Sequence, residues 1–294
     1  MSEALPLSGW PLWWRLLLVS SLWATAFPVV RLLTRSMPPF ALSFGRGVAA
    51  VLVMLGFALA TGAFRGLRRG FWRHGALLGT TNGWLPNCLI AVALVSLGAA
   101  TVSLIQSTTP LFVALLAFGF LPTERPGLRT LAGMAVGFAG IAVILGPQAL
   151  LGGSGLLAGG LVLLAALSYA VGTVYVRRRQ PGSPVALSVG QQAGSAAGAG
   201  VMTLLFEPAG AFDQPIEVWG AVLWVGVVAS ALPLTFFLSL AQRARATDAA
   251  MTGYLQPGFA AVFAALLLAE WPEPRVLLGG AVVLLGVWLA TGRR

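Results

Sequence analysis

The sequence predicts an all-α polytopic membrane protein, with ten transmembrane helices arranged as a 5+5 inverted repeat. Three observations predict it. The 294 residues are 58% hydrophobic and only 9% charged, with mean hydropathy +0.89, whereas soluble domains carry about 25% charged residues. The apolar residues fall in ten long runs separated by short loops. Unusual residues of the first half recur 147 positions later.

A helix needs about 20 mostly apolar residues to cross a bilayer. The runs that meet this need are 12–33, 40–61, 72–95, 99–121, 127–146, 156–177, 184–206, 218–241, 247–269 and 275–291. Strands of a membrane barrel would be shorter, about ten residues, and would alternate polar with apolar. Short loops imply antiparallel packed neighbours. "ATA" at Ala24–Ala26 resembles a signal-peptidase site, but the apolar run resumes through Pro28 to Leu33, so the segment is expected to be retained.

All 18 basic residues are arginine, and the net charge is +10. They cluster between the apolar runs, which is membrane-flanking charge and not a nucleic-acid footprint. With the N-terminus cytoplasmic, 14 of the 18 arginines fall inside: Arg15, Arg65, Arg68, Arg69, Arg73, Arg125, Arg129, Arg177 to Arg179, Arg243, Arg245, Arg293 and Arg294. Arg31, Arg35 and Arg275 fall outside, as do Glu207, Asp213, Glu217, Glu270 and Glu273. Both termini are therefore expected in the cytoplasm of a cell whose inner membrane the chain spans.

Shifting the chain against itself by 147 residues aligns Pro86 with Pro233, Pro110 with Pro257, Trp72 with Trp219, Gly79 with Gly226, Phe112 with Phe259 and Arg31 with Arg178. The halves are 1–147 and 148–294. Each holds five runs, and an odd number means that the second half crosses the membrane inverted. Inverted repeats of this kind build many secondary transporters, with the substrate at the midplane between halves.

Proline removes one backbone hydrogen bond and crowds the carbonyl four residues back. Pro28, Pro86, Pro110, Pro233 and Pro257 each lie within a run and are the expected hinges. They release the carbonyls of Ala24, Asn82, Gln106, Ala229 and Gly253. Polar and aromatic residues gather at similar depth: Asn82, Asn87, Gln106, Thr108, Thr109, Gln191, Gln192 and Gln256, with Trp23, Trp84, Tyr169 and Tyr254. Such groups are costly in hydrocarbon and face a cavity or bond across helices. On an α-helical wheel Asn82 shares a face with Pro86, and Trp84 shares another with Asn87. Arg46 lies about 6 Å from the middle of its run; it either anchors the bundle, the favoured reading, or attracts a carboxylate. Gly190, Gly194 and Gly198, and Gly133 and Gly137, are helix-packing signals.

Absent patterns exclude other classes. No Asp or Glu occupies the central third of a run, so a cation-binding carboxylate is not offered. No HExxH, paired carboxylate, GxSxG or P-loop occurs; the chain is not expected to be an enzyme. His74 and Cys88 are the sole histidine and cysteine, so no disulfide, metal site or cofactor is expected. The oligomeric state is left open, a monomer included.

"LWATAFPVVRLL", "FGRGVAAVLVML", "LGAATVSLIQSTTPLFVALLAFGFLPTERP" and "ATDAAMTGYLQPGFAAVFAALLLAEWPEP" resemble EamA-type members of the drug/metabolite transporter superfamily over nearly the whole chain. Within it the chain is similar to bacterial aromatic amino-acid exporters, although Pro28 after Ala24–Ala26 departs from the usual pattern. The resemblance implies ten spans, inverted symmetry and alternating access. The expected partners are the lipid bilayer and a small metabolite, an amino acid with a neutral, apolar or aromatic side chain. Trp23, Trp84, Tyr169 and Tyr254 would supply apolar and cation–π surface. Asn82, Asn87, Gln106 and Gln256 would hold the polar head, helped by the carbonyls released beside Pro86 and Pro110. A multidrug or other metabolite exporter and a non-transporting scaffold are the rival readings.

Overall fold

The computed structural model describes residues 10–64, 70–120, 127–146, 154–179, 184–243 and 252–291. These residues are helical apart from short connections, and no strand occurs among them. The helices are α1 (Trp10–Ala24), α2 (Ala26–Leu33), α3 (Pro39–Ala60), α4 (Phe71–Gly79), α5 (Leu85–Ser96), α6 (Ala99–Gln106) and α7 (Thr109–Phe120). They continue with α8 (Leu128–Leu145), α9 (Ser154–Arg179), α10 (Pro184–Phe206), α11 (Ile216–Gly226), α12 (Leu232–Arg243), α13 (Thr252–Leu268) and α14 (Pro274–Thr291). Each apolar run of the sequence coincides with one helix or with consecutive helical pieces; the start of the ninth run lies outside the described residues.

Six stretches are long and apolar enough to cross a membrane: Trp10–Leu33, Pro39–Ala60, Phe71–Ser96, Ala99–Leu116, Gly155–Val176 and Ile216–Phe237. Leu131–Ile144, Leu255–Leu268 and Pro274–Gly286 are shorter apolar helices. Helix α10 is long but diluted by "GQQAGSAAGAG".

Four of the long stretches are broken, and the breaks have chemical causes. Between α4 and α5, residues Thr80–Trp84 form a wide π-turn in which Gly83 is not helical (φ −127°, ψ −111°). Between α11 and α12, Val227–Ala231 form a second π-turn. Each precedes a proline by two residues, Pro86 and Pro233. The wide turn moves the crowded carbonyl away from the pyrrolidine ring. The two π-turns stand 147 residues apart, in the register of the proline pairs. Helices α1 and α2 part at Thr25, three residues before Pro28. Helices α6 and α7 part at Ser107–Thr108. Pro110 therefore sits in the first turn of α7 and not in mid-helix; a first-turn nitrogen has no intrahelical acceptor, so nothing is lost there.

Packing is dominated by pairs that join a helix of the first half to one of the second. Helix α3 lies on α10, α4 on α10, α11 on α3, α5 on α9, α12 on α1, α7 on α9, α13 on α1, α6 on α13 and α8 on α14. Exchanging matched segments of the halves leaves this set unchanged. Glycines permit the closest crossings. A Cβ at Gly79 would stand 2.5 Å from the Gly194 carbonyl carbon, and one at Gly75 would stand 2.8 Å from Gly190 Cα. A Cβ at Gly226, the counterpart of Gly79 147 residues on, would meet Arg46 O and Ala49 Cβ at 2.6 Å.

Polar clamps hold one end of the bundle. Glu207, after α10, accepts the backbone N–H groups of Phe40 and Ala41, both at 2.7 Å. It thereby satisfies orphan donors at the α3 N-terminus, where a carboxylate also complements the helix dipole. Arg31 on α2 bonds Glu270 after α13 at 2.5 Å and donates to Leu94 O and Leu97 O, at 2.6 and 2.7 Å, at the end of α5. Inside, Ser20 of α1 donates to Thr252 O at the start of α13 (3.2 Å).

The glycine crossing sets a stability prediction. Gly79→Ala is expected to destabilise by about 1–3 kcal/mol, because only backbone lies opposite. Gly56→Ala on α3, where nothing lies within 4 Å, is expected to stay within about 0.5 kcal/mol. Unfolding midpoints in detergent compare the two; equal midpoints would contradict the close crossing.

Candidate functional site

The π-turn before Pro86 decides which neighbours its side chains meet. Five residues span about 140° of an α-helical wheel beyond a full turn, but a turn built on i→i+5 bonds brings residues five apart onto one side. Asn82 and Asn87 accordingly both face α9. The Asn82 carboxamide lies against Gly172, whose missing side chain leaves the room. Asn87 Oδ1 accepts from the Tyr169 hydroxyl at 3.1 Å. Trp84 turns to α10, where its indole lies over Gly198, and its Nε1 donates to Thr80 Oγ1 at 3.3 Å. The pairing of Trp84 with Asn87 on one face, expected from an α-helical wheel, does not form.

The carbonyls released by two of the prolines are already taken. Asn82 O accepts from Gln191 Nε2 of α10 at 3.2 Å. Gln106 O accepts from Thr109 Oγ1 at 2.7 Å. Thr81 O accepts from Ser168 Oγ of α9 at 2.8 Å. The expectation that carbonyls beside Pro86 and Pro110 assist a ligand is thus corrected: side chains of the chain itself reach them first, as backbone polarity in hydrocarbon requires.

Arg46 of α3 meets the second π-turn. Its Nη2 donates to Ser230 Oγ at 2.8 Å, and Ser230 in turn donates to Val225 O at 2.7 Å. Tyr169 and Cys88 lie within electrostatic reach of the guanidinium. One polar layer thus runs from Ser230 through Arg46 to Tyr169 and Asn87, between helices of the two halves. Three buried oxygens have no hydrogen-bonding partner among the described residues: Asn82 Oδ1, Gln106 Oε1 and Ser43 Oγ.

The remaining expected site residues lie elsewhere. Trp23 of α1 packs on Phe237 of α12, with ring centroids 5.0 Å apart. Gln106 ends α6 and Gln256 is half-buried on α13, and these two helices pack together. The Tyr254 side chain lies outside the described residues. Pro28, Pro86, Pro233 and Pro257 are buried; Pro110 is half-buried. Pro257 lies within α13, and Pro110 Cγ is 3.9 Å from where a Gly253 Cβ would stand. Two concavities, of about 300 and 230 Å³, are lined by Ala58, Leu59, Gly62 and Phe64 and by Val48, Val51, Leu52, Ala193 and Ala196. Neither touches the polar layer.

Sequence reasoning favoured Arg46 as an anchor over a carboxylate-attracting role and omitted Ser230, Ser168 and Gln191 from the site. The signal for Arg46 was present, since no other arginine sits so deep in a run. Ser230 and Ser168 carry no signal of their own, because a membrane serine commonly bonds its own helix.

The profile of the EamA-like transporter family matches the chain twice, over residues 11–146 and 156–292. The chain belongs to this family. The EamA-like chain is 31% identical to a "Probable terminal-alkyne amino-acid exporter" of Streptantibioticus cattleyicolor, over 95% of this chain and 93% of that one. It is 25% identical to an "Uncharacterized transporter" of Archaeoglobus fulgidus, over 95% and 96% respectively. A solved crystal structure shares the fold with a TM-score of 0.67 at 22% identity, over 94% of each chain. The EamA-like chain is therefore a multi-pass membrane transporter of small molecules.

Gln191 tests the description of the released carbonyl. Gln191→Leu leaves Asn82 O unpartnered in the bundle and is expected to cost about 1–3 kcal/mol. An unfolding midpoint unchanged from wild type would remove Gln191 from that role.

Proposed function

We propose that this EamA-like transporter exports amino acids with neutral, apolar or aromatic side chains across the bacterial inner membrane. Transport proceeds by alternating access at a midplane site between two inverted five-helix repeats, 1–147 and 148–294. The observation that carries this reading is the pair of buried, unpartnered carboxamide oxygens, Asn82 Oδ1 and Gln106 Oε1. Unpaired acceptors in a low-dielectric interior are costly and call for a donor. An α-ammonium group supplies three. The Asn87–Tyr169 pair adds a polar contact, and Trp84 and Tyr169 add aromatic surface for the side chain. The likeness to a relative named as a probable amino-acid exporter supports the same substrate class.

Pro28, Pro86, Pro110, Pro233 and Pro257 are the bending points. The π-turns before Pro86 and Pro233 are already widened, so each can flex without breaking a regular helical hydrogen-bond ladder. With both termini cytoplasmic, the end clamped by Arg31–Glu270 and by Glu207 is the outer one. No carboxylate among the described residues lies in the polar layer, which favours facilitated movement down a gradient and disfavours organic cations as substrates.

Purified protein in liposomes tests the reading with a panel of amino acids, sugars and cationic dyes. Saturable uptake of phenylalanine or leucine is expected; dye uptake without amino-acid uptake would sink it. Asn82→Ala and Gln106→Ala are each expected to raise KM about tenfold, the cost of one lost charge-assisted hydrogen bond. Unchanged KM in both variants would remove them from the site.

A further inference from the structure

We propose that Arg46 is the residue that binds the substrate's carboxylate, so that the transporter carries ionised carboxylates and rejects their neutral amides and esters. The inference rests on the reading of a transport site between the halves and adds the chemistry that the site demands.

Arg46 sits in the interior of α3, well inside the apolar run. A guanidinium has five N–H donors and cannot lose its charge in a protein. Its one hydrogen-bonding partner among the described residues is the Ser230 hydroxyl, at 2.8 Å. That partner is neutral, and its own proton is committed to Val225 O. The other groups within electrostatic reach, Tyr169 and Cys88, are a phenol and a thiol. The carboxylates among the described residues that could neutralise it are engaged or distant. Glu207 accepts from Phe40 and Ala41, five to six residues before Arg46 on α3, roughly 8 Å along the axis. Glu270 is bonded to Arg31, and Glu273 to Arg275. Asp213 is exposed between helices, and Glu217 is exposed in the first turn of α11.

Anchoring alone does not account for this arrangement. A hydrogen bond to Ser230 needs a donor and not a charge; glutamine would make it without placing a cation in hydrocarbon. Charged side chains within membrane segments normally pair with one another or line a substrate path. The guanidinium fork matches a carboxylate with two parallel N–H···O bonds. Its place suits that role, since it touches the π-turn before Pro233 and lies beside the Tyr169–Asn87 bond behind Pro86. A carboxylate there and an ammonium at Asn82 would hold the two ends of an amino acid on α3 and the first π-turn, whose Arg46 and Asn82 side chains meet Ser230 and Gly172 of the second half.

The test uses the full-length protein in liposomes and four probes: phenylalanine, phenylalaninamide, phenylalanine methyl ester and phenylpropionate. Wild type is expected to prefer phenylalanine over its amide and ester by at least about tenfold, since a site built for a polar group rejects the analogue lacking it. Arg46→Gln is expected to abolish the preference, and Arg46→Lys to keep it with reduced uptake. Equal uptake of acid and amide by wild type overturns the proposal even if Arg46→Gln fails to fold, and so does a preference retained in folded Arg46→Gln. Uptake of phenylpropionate that depends on Arg46, without uptake of phenylalanine, supports the carboxylate site while refuting amino-acid export. Phenylalanine and its amide carried alike leave amino-acid export standing and refute Arg46.

Discussion

A backbone carbonyl cannot stay unpaired in hydrocarbon, and prolines and helix breaks within the apolar runs of this chain leave several in need of a partner. Most of the polar chemistry in the bundle follows from that constraint. Asn82 O is met by Gln191, Gln106 O by Thr109 and Thr81 O by Ser168. The serines and threonines around the α6–α7 break serve the same end: Ser107 bonds Leu104 O and Thr108 bonds Ile105 O. These residues look, in the sequence, like a cluster awaiting a ligand. In the structure they pair with backbone that the prolines have unsettled. What remains over, Asn82 Oδ1, Gln106 Oε1 and the Arg46 guanidinium, is therefore more informative than the cluster as a whole.

Packing makes that satisfaction reachable. Gln191 reaches the Asn82 carbonyl because α10 lies almost in backbone contact with α4, through Gly75, Gly79, Gly190 and Gly194. A Cβ at any of these would push the helices apart and strand the carbonyl. Gly172 and Gly198 act differently: each leaves a recess that a side chain of the π-turn fills, Asn82 in one and Trp84 in the other. One set of glycines brings backbones together, and the other seats the polar and aromatic groups of the site.

The helical runs, the prolines and the doubled pattern were legible in the sequence because each rests on composition or on a rigid residue. Local geometry at the prolines was not. A wheel drawn at 3.6 residues per turn assigns Asn82 and Asn87 to different faces; the π-turn inserts the extra residue that unites them on α9. Pro110 was misplaced for a related reason, since a proline in an apolar run reads the same whether it kinks one helix or begins another. Arg46 was legible as a buried charge, but the neutrality of its partner is a tertiary fact. Ser230 reaches it across 184 positions of chain, and no local pattern announces a pair so distant.

The doubled backbone contrasts with single-copy chemistry. The π-turns stand in register 147 residues apart, and the main packing pairs exchange into one another. Yet the positions matching Asn82, Trp84 and Asn87 are Ala229, Ala231 and Leu234; the match of Arg46 is Ala193, and that of Tyr169 is Leu22. Scaffold symmetry serves the proposed alternation, because two equivalent weak points let the bundle rock either way at similar cost. A symmetric site would suit a symmetric ligand. Here an unpartnered acceptor, Asn82 Oδ1, stands on the first π-turn, and the Arg46 guanidinium bonds the second. The ligand that complements such a layer has unlike ends, a donor at one and an anion at the other.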